Sequence, residues 1–349
     1  MILKEQKDKK ELSGGIKMKK IKNITILILI IMLAALIPLQ AAGLKKVAQS
    51  GMQWLSIPIG ARAAAMGGAY TAVANDASSI FWNPAGVALT KGGNFFLSQT
   101  KWIADINVNA GAVSYDAGSY GFFSASFAAV DWGVFHGTRR AETDAGFEET
   151  GDFSPEDWAA GVGYARRVTD RFAIGGHLRY LHENLGSNLE GTMGAGTEYT
   201  AKMNLLAFDF GTIYYTGLKD LRLAMSLQNF SQEKKYRVDH FPLPLTFKFG
   251  LAMDMTGFFA EESPHSITLS VDAIHPRDYT ERLNFGLEYG FRNMFYLRGG
   301  YKTNYDEENF TAGAGFNYKT GGLALGLDYG YLQFEHFDAV QMFTVNFQF

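Results

Sequence analysis

The chain offers few residues whose types and spacing could support catalysis or metal binding. It contains seven His and no Cys, which excludes thiolate metal sites and cysteine nucleophiles. The histidines form no H-E-x-x-H arrangement, and no G-x-S-x-G elbow or glycine-rich phosphate loop is present. His177 and His182 are five residues apart in a predicted strand, so their side chains should face opposite sides. We therefore predict no metal site, no cofactor and no enzyme.

A set of charged residues lies inside stretches that alternate between apolar and polar positions. Its members are Arg179, Asp209, Asp254, Asp272, Glu288, Arg298 and Asp328. A charge buried without a partner is costly, so we expect these side chains to share one polar surface and to pair there. The pattern predicts a lining of ion pairs rather than a reaction centre.

The elements that must position these charges are β-strands. In residues 283–291 the odd positions are Leu, Phe or Tyr, and the even positions are Asn, Gly or Glu. About fourteen such segments follow one another, most of them about ten residues long, which suits tilted membrane-spanning strands. The predicted spans are 93–102, 105–115, 119–131, 157–168, 171–183, 199–216, 219–230, 244–255, 265–274, 282–291, 294–303, 309–319, 322–332 and 339–349. The fold class is therefore all-β, a transmembrane antiparallel up-and-down β-barrel of about 14 strands.

The connections between the strands alternate in length. Those at 116–118, 169–170, 217–218, 292–293 and 320–321 are tight. Those at 132–156, 184–198, 231–243, 275–281, 304–308 and 333–338 are longer and polar. Short turns on one side and long loops on the other are typical of outer-membrane barrels, although 103–104 and 256–264 depart from the pattern. With an even strand count, we expect both chain termini on the short-turn, periplasmic side.

Residues 60–89 match neither secondary-structure period and consist largely of small residues. Turn signals divide the stretch: Gly67-Gly68, Asn75-Asp76, and Asn83-Pro84 followed by Ala85. Such a segment cannot bury enough apolar surface to fold alone, so we predict a plug inside the barrel, near its periplasmic half. Arg62 should pair with one of the lumen carboxylates, without a preference for any of them.

Residues 62–86 read R-A-A-A-M-G-G-A-Y-T-A-V-A-N-D-A-S-S-I-F-W-N-P-A-G. This run resembles the N-terminal hatch of FadL-like outer-membrane barrels, and it is most similar to the PorV/PorQ branch associated with type IX secretion. The resemblance implies a barrel that binds exported proteins or secretion-system partners through its extracellular loops. These loops carry or adjoin Phe147, Trp158, Tyr236 and Phe241.

The wider FadL-like group implies an alternative, a channel for the uptake of small hydrophobic molecules, in which Asn83-Pro84-Ala85 gates the path. We prefer the secretion role because the hatch sequence is nearer that branch. An enzyme with a site at the barrel rim is a further class, with Asp131, His136, Asp272 and His275 as candidates. The simpler interpretation is that these four residues are solvated loop residues without a catalytic role.

The targeting signals agree with an outer-membrane protein in contact with lipid. Residues 19–43 combine basic residues, an apolar core and small residues, as a signal peptide cleaved near Ala41 or Ala42 does. The preceding extension suggests translation from Met18. We expect residues 1–41 to be removed, 42–92 to form the lead and plug, and 93–349 to form the barrel. Loss of 1–41 leaves 24 basic and 32 acidic residues, which argues against nucleic-acid binding.

Aromatic residues near the strand ends predict girdles at the two membrane interfaces. They are Trp102, Trp132, Trp158, Tyr301, Tyr331 and Phe334. The last strand ends in Phe349, which resembles the terminal signal that barrel-assembly machinery recognises in outer-membrane proteins.

Overall fold

The computed structural model describes residues 49–190, 197–235, 240–256 and 263–349. The expected signal peptide and upstream extension, residues 1–41, lie outside the described residues, as do Tyr236 and parts of the long loops. No helix in the described part of the chain is long and apolar enough to cross a membrane.

The described chain is almost entirely strand. The strands are β1 (Gly93–Lys101), β2 (Asn107–Asp116), β3 (Phe122–Asp131), β4 (Phe135–Arg140), β5 (Phe147–Phe153), β6 (Glu156–Thr169), β7 (Phe172–Glu190), β8 (Thr197–Tyr215), β9 (Arg222–Phe230), β10 (Lys234–Lys235), β11 (His240–Phe241), β12 (Thr246–Asp254), β13 (His265–Pro276), β14 (Arg282–Phe291), β15 (Phe295–Thr303), β16 (Glu308–Thr320), β17 (Leu323–Phe334) and β18 (Val340–Gln348). One α-helix, α1 (Ala61–Ala65), lies before them. Short 3-10 helices occupy Gln53–Ser56, Ala77–Phe81, Pro84–Leu89, Ile103–Asp105 and Gly118–Tyr120.

Fourteen of these strands close into an antiparallel barrel, as the sequence predicts. Each strand pairs with its neighbour in the chain, and β1 pairs with β18 to close the ring. Two pairs were not anticipated: β4 with β5 and β10 with β11 form separate hairpins within the long connections. The barrel therefore has a loop side, which carries both hairpins, and a short-turn side.

Side chains along each barrel strand point alternately toward the lipid and toward the lumen. Along β17, Leu325, Leu327 and Tyr329 are exposed on the outer surface, whereas Asp328 and Leu332 are buried inside. Because the period of a strand is two, one face carries the apolar residues and the other carries glycine, hydroxyl and charged residues.

The hydrophobic core lies between the barrel wall and residues 60–89, which fill the lumen. Tyr70, Met66, Ile80 and Val87 are fully buried there against alanines of the wall. A closed barrel with a plug is thus the observed architecture.

The described chain reaches this plug from the loop side, whereas the expected periplasmic position of the N-terminus concerns residues outside the described part. Gly51 N donates to Pro242 O (3.0 Å), and Gln53 Nε2 donates to Asp278 Oδ2 (2.7 Å). Met52 and Trp54 are buried in the loop-side mouth of the lumen. Burial of these two apolar side chains holds the lead at that end, so the described chain threads through the barrel before β1 begins.

Some of the aromatic residues expected in the girdles face the lumen instead. Trp102 packs edge-on against Phe334 (5.4 Å between ring centroids), and Trp132 Nε1 donates to Asp157 Oδ2 (2.8 Å). Trp102, Trp132 and Phe334 all line the loop-side lumen. Tyr301 and Tyr331 do lie on the outer surface.

Candidate functional site

Helix α1 starts the plug and lies directly on the barrel wall. Its first residue is bonded to β18, with Ala61 N donating to Thr344 Oγ1 (2.9 Å). A Cβ atom built on Gly313 would lie 2.5 Å from Ala65 Cβ, and one on Gly330 would lie 3.0 Å from Ala61 O. Alanine on the helix and glycine on the wall together allow this close approach, because neither side projects a longer side chain.

The turn after α1 depends on Gly67 and Gly68, which the sequence singled out. Both have positive φ (67° and 72°), a region that other residues enter at a cost. A Cβ on Gly67 would lie 3.0 Å from Phe285 O and 3.1 Å from Tyr301 N. Asn284 Nδ2 donates to Gly67 O (2.6 Å), so the wall also bonds the turn.

Arg62 forms the ion pair that the sequence predicted, and its partner is Glu288. The contact is bidentate: Nε to Oε2 is 2.8 Å and Nη2 to Oε1 is 2.9 Å. Arg62 Nη1 also donates to Asn75 Oδ1 (2.8 Å) and approaches Asp76 Oδ2 (3.4 Å). One guanidinium therefore joins two parts of the plug to the wall.

The same network extends along the wall. Arg298 Nε donates to Glu288 Oε2 (2.7 Å), and Arg298 Nη1 donates to Asp328 Oδ1 (2.6 Å). Glu288 and Arg298 face each other directly in the β14–β15 register. With Arg62 they form a row of alternating charges in which each charge has a partner, as a low-dielectric site requires.

Asp272 holds the middle of the plug. Its Oδ2 accepts hydrogen bonds from Tyr70 N (3.1 Å), Thr71 N (3.0 Å) and Thr71 Oγ1 (2.6 Å). Asp272 is fully buried in the lumen. The prediction that Asp272 is a catalytic candidate at the barrel rim is therefore wrong, because Asp272 lies inside the barrel against the plug.

Asn83, Pro84 and Ala85 form a capped turn that contacts the opposite wall. Asn83 Oδ1 accepts from Ala85 N (3.1 Å), and Pro84 begins the 3-10 helix Pro84–Leu89. Asn83 Nδ2 donates to Thr71 O (2.9 Å) and to Thr212 O on β8 (3.1 Å). The asparagine thus ties together two segments of the plug and one strand.

Two other predicted lumen charges meet away from the plug network. Arg179 Nη2 donates to Asp209 Oδ1 (2.6 Å) on the neighbouring strand. Asp254, in contrast, lies at the end of β12 rather than in mid-strand, and its carboxylate accepts from Thr256 N (2.7 Å). It serves there as a cap for the following turn.

The remaining rim candidates do not come together into a site. Asp131 accepts from Gly133 N (3.0 Å), His136 Nδ1 contacts Asp152 Oδ1 (2.6 Å), and His275 Nδ1 lies 3.3 Å from Glu281 Oε1. The Asp152 carboxylate raises the pKa of His136 above its ordinary value. No group of three or more metal-ligating side chains occurs among the described residues.

The plug divides the lumen into two cavities that share no lining residue. The short-turn cavity, about 550 Å³, is polar and includes Arg62, Asp76 and Glu288. The loop-side cavity, about 580 Å³, is lined by apolar and aromatic residues and, in similar number, by polar and charged residues such as Lys248, Arg282, Lys302 and Glu308. Its apolar part includes Trp54, Ile57, Pro58, Ile59, Phe81, Trp82, Trp102, Ile106, Val108, Ala128, Trp132 and Phe334.

Sequence reasoning missed several residues that join the plug to the wall. Ser226 Oγ and Gln228 Nε2 donate to Trp82 O (2.8 and 2.7 Å), and Lys248 Nζ lies 4.7 Å from the centroid of the Trp82 ring. All three lie in β9 or β12. Their inward positions follow from strand alternation, but the plug residue that they meet does not.

The closed fourteen-stranded barrel and the plug held by charged residues of its wall place the protein in the class of plugged outer-membrane transport barrels. The chain belongs to the outer membrane protein transport protein family (OMPP1/FadL/TodX), whose family model matches residues 43–226. This membership places the protein in the bacterial outer membrane and supports a role in transport. A search of curated proteins finds no match.

Solved structures share the fold. The Pseudomonas putida toluene transporter TodX aligns with a TM-score of 0.53 and 13% identity, over 82% of this chain and 96% of that chain. A deltaS2 mutant of the TodX monoaromatic hydrocarbon channel aligns with a TM-score of 0.51 and 14% identity, over 82% and 96%. The comparisons support the FadL-like resemblance, and none of them points to PorV/PorQ or to type IX secretion.

Proposed function

We propose that the protein is a channel for small hydrophobic molecules, closed in this structure by its plug. The observation that carries the proposal is the loop-side cavity, in which a cluster of aromatic and aliphatic side chains extends down to Phe81 and Trp82 of the plug. A volume of about 580 Å³ lies in the range that small-molecule sites occupy. An apolar molecule entering from the loop side would lose contact with water before it meets the plug.

Passage requires a movement of the plug, because it separates the two cavities. The plug is attached to the wall by side-chain contacts such as Arg62–Glu288 and Asp272–Thr71, and it belongs to no strand ladder of the barrel. It can therefore shift while all fourteen strands stay paired. Asn83, which bonds both the plug and β8, lies where such a shift would break a contact.

The related structures agree with this proposal, since they are those of a toluene transporter and a monoaromatic hydrocarbon channel. The preference for a PorV/PorQ-like secretion role receives no support from the family match or from the solved structures. We therefore adopt the alternative, with outer-membrane lipid and a small hydrophobic ligand as the expected partners.

The test measures the binding of toluene to the detergent-purified protein by isothermal titration calorimetry. Ala128→Glu places a carboxylate in the apolar wall of the loop-side cavity and should weaken binding at least about tenfold, or about 1.4 kcal/mol. Ala145→Glu, in the exposed β4–β5 connection, is the matched control and should bind as the parent does. Both variants must first show heat-modifiable migration on gels.

No binding of toluene or of longer hydrophobic probes by the folded parent protein would contradict the proposal. Equal binding by the two glutamate variants would place the ligand outside this cavity. Specific co-purification with exported proteins, in the absence of hydrophobic ligand binding, would favour the secretion role instead.

A further inference from the structure

Three polar side chains from different strands meet on the lumen wall beside the loop-side cavity. Ser126 Oγ lies 2.8 Å from His177 Nε2, and His177 Nδ1 lies 3.1 Å from Asp209 Oδ2. Ser126, His177 and Asp209 all line this cavity. The plug also reaches this cluster, through a hydrogen bond between the His177 ring and the backbone of Ile80.

A glycine makes the contact between the serine and the histidine feasible. Ser126 is on β3 and His177 is on β7, with β6 between them, and Gly161 of β6 pairs with Ser126. A Cβ atom built on Gly161 would lie 2.4 Å from His177 Nε2. The missing side chain therefore leaves the space through which the two side chains reach each other across one strand.

The hydrogen bonds around Asp209 determine the orientation of the histidine ring. Asp209 Oδ1 accepts from Arg179 Nη2 (2.6 Å) and from Asn229 N (2.7 Å), which favours the ionised carboxylate. An ionised carboxylate only accepts, so the proton of the ring belongs on Nδ1. His177 Nε2 is then left to accept the proton of the Ser126 hydroxyl, the arrangement that activates a serine nucleophile.

The burial of the three residues suits the same role. Asp209 and His177 are buried, whereas Ser126 is partly exposed to the cavity. Arg179 Nη2 donates to Asp209 Oδ1 (2.6 Å) and to Asn229 Oδ1 (2.6 Å), so the guanidinium lies toward β8 and β9 and stabilises the carboxylate that orients His177.

We propose that Ser126, His177 and Asp209 form a nucleophilic site that hydrolyses carboxylic esters of small hydrophobic molecules in the loop-side cavity. Ser126 Oγ attacks the ester carbonyl carbon while His177 Nε2 takes its proton. The C–O bond to the alcohol breaks, the alcohol leaves with that proton, and an acyl-serine remains. Water, deprotonated by His177, then attacks the acyl-serine and releases the acid and the free serine.

This inference goes beyond the proposed channel function and does not rest on it. Ester cleavage needs only the cavity and the three residues, whereas passage needs movement of the plug. Binding of toluene measures the first proposal and release of alcohol measures the second, so the two can fail separately.

The experiment uses the detergent-purified, heat-modifiable protein with p-nitrophenyl butyrate and, separately, an alkyl fluorophosphonate probe. The parent protein should release p-nitrophenol and carry one fluorophosphonate adduct, mapped by mass spectrometry to Ser126. Ser126→Ala should lose both signals. His177→Gln should lower kcat/KM by about 10²–10⁴-fold, because the general base is lost. Gly161→Ala should also lower it, by separating the serine from the histidine.

Ser124→Ala is the matched control. Ser124 lies on the same face of β3 two residues away, and its buried hydroxyl has no partner among the described residues. This variant should keep both the turnover and the adduct. The proposal would be overturned if the folded parent protein showed no more turnover than Ser126→Ala, or if the adduct formed at any other residue. The three residues would then be only a hydrogen-bond network of the wall.

Discussion

At the scale of single residues, Gly67 shows how closely the plug approaches the wall. Its backbone has φ of 67°, and a side chain there would press on Phe285 O and Tyr301 N. Gly118, in a turn on the short-turn side, has a similar φ of 64° but has no atom within 4 Å of the position of a Cβ. The two glycines share the conformational demand and differ in the available space.

We expect Gly67→Ala to destabilise the plug by clearly more than the conformational cost alone, which is about 1–2 kcal/mol. Gly118→Ala should show that cost without the steric contribution. Hydrogen exchange of the amides in residues 61–72 measures the effect of Gly67→Ala, and exchange of the turn amides in residues 117–121 measures that of Gly118→Ala. Equal losses of protection at the two turns would mean that the approach of Gly67 to the wall adds nothing to the conformational cost.

Arg62 is the second residue on which the plug depends. Arg62→Ala removes two hydrogen bonds to Glu288 and one each to Tyr70, Asn75 and Asp76, while Glu288 keeps Arg298 as a partner. Hydrogen bonds to charged groups contribute about 1.5–3 kcal/mol each, so the plug should open far more often. Faster proteolysis within residues 60–89 should follow, whereas Arg166→Ala, at an exposed position on β6, should behave as the parent does. Unchanged proteolysis of Arg62→Ala would show that the network does not hold the plug.

At the scale of elements, the pairing of β1 with β18 completes the wall. Gly93 N donates to Phe349 O (2.8 Å), and Phe349 N donates to Gly93 O (2.9 Å), so the last residue continues the ladder. The Phe349 side chain is 60% exposed on the outside and packs on Phe347 (5.9 Å between ring centroids). It contributes nothing to the lumen.

Phe349→Ser should therefore lower the yield of assembled barrel in the outer membrane without changing synthesis or the hydrogen bonds of the ladder. Its proposed role is in recognition by the assembly machinery rather than in packing. The matched control is Tyr318→Ser, an aromatic residue of β16 that is also about half exposed on the outer surface. Heat-modifiable protein in membrane fractions measures assembly, and equal yields of the two variants would argue against an assembly signal.

Among the elements, the long connections between strands differ most from the sequence prediction, which gave them no secondary structure. The connection between β3 and β6 forms a hairpin in which Arg139 and Glu148 pair and Phe135 stacks on Phe153. Its sequence has no strong period because both faces of a two-stranded ribbon meet solvent. Alternation follows burial on one face, and a fully exposed ribbon lacks that constraint.

At the scale of the whole molecule, the wall closes without any contribution from the plug. A chain of residues 90–349 should therefore refold in detergent into a heat-modifiable barrel. In planar bilayers it should conduct ions steadily, because the two cavities would merge into one water-filled lumen. A chain of residues 49–349, refolded in the same way, should remain closed. Failure of the shorter chain to form a heat-modifiable barrel would show that the plug is needed for closure.

The sequence alone determined the wall. Alternation with period two is a local property, so it located thirteen barrel strands to within three residues and assigned Asp209, Glu288 and Arg298 to the lumen. The exception is β7, which continues seven residues beyond the predicted end at 183. The composition of residues 60–89 likewise predicted a plug, because such a segment cannot fold without a surrounding wall.

Only the tertiary structure decided which residues meet across the lumen. Arg62 and Glu288 are 226 positions apart, and Ser126 reaches His177 across an intervening strand. These contacts depend on the stagger and tilt of the closed barrel and on the path of the plug, which no local pattern encodes. The side from which the lead enters was decided in the same way, by the burial of Met52 and Trp54 among apolar side chains distant in sequence.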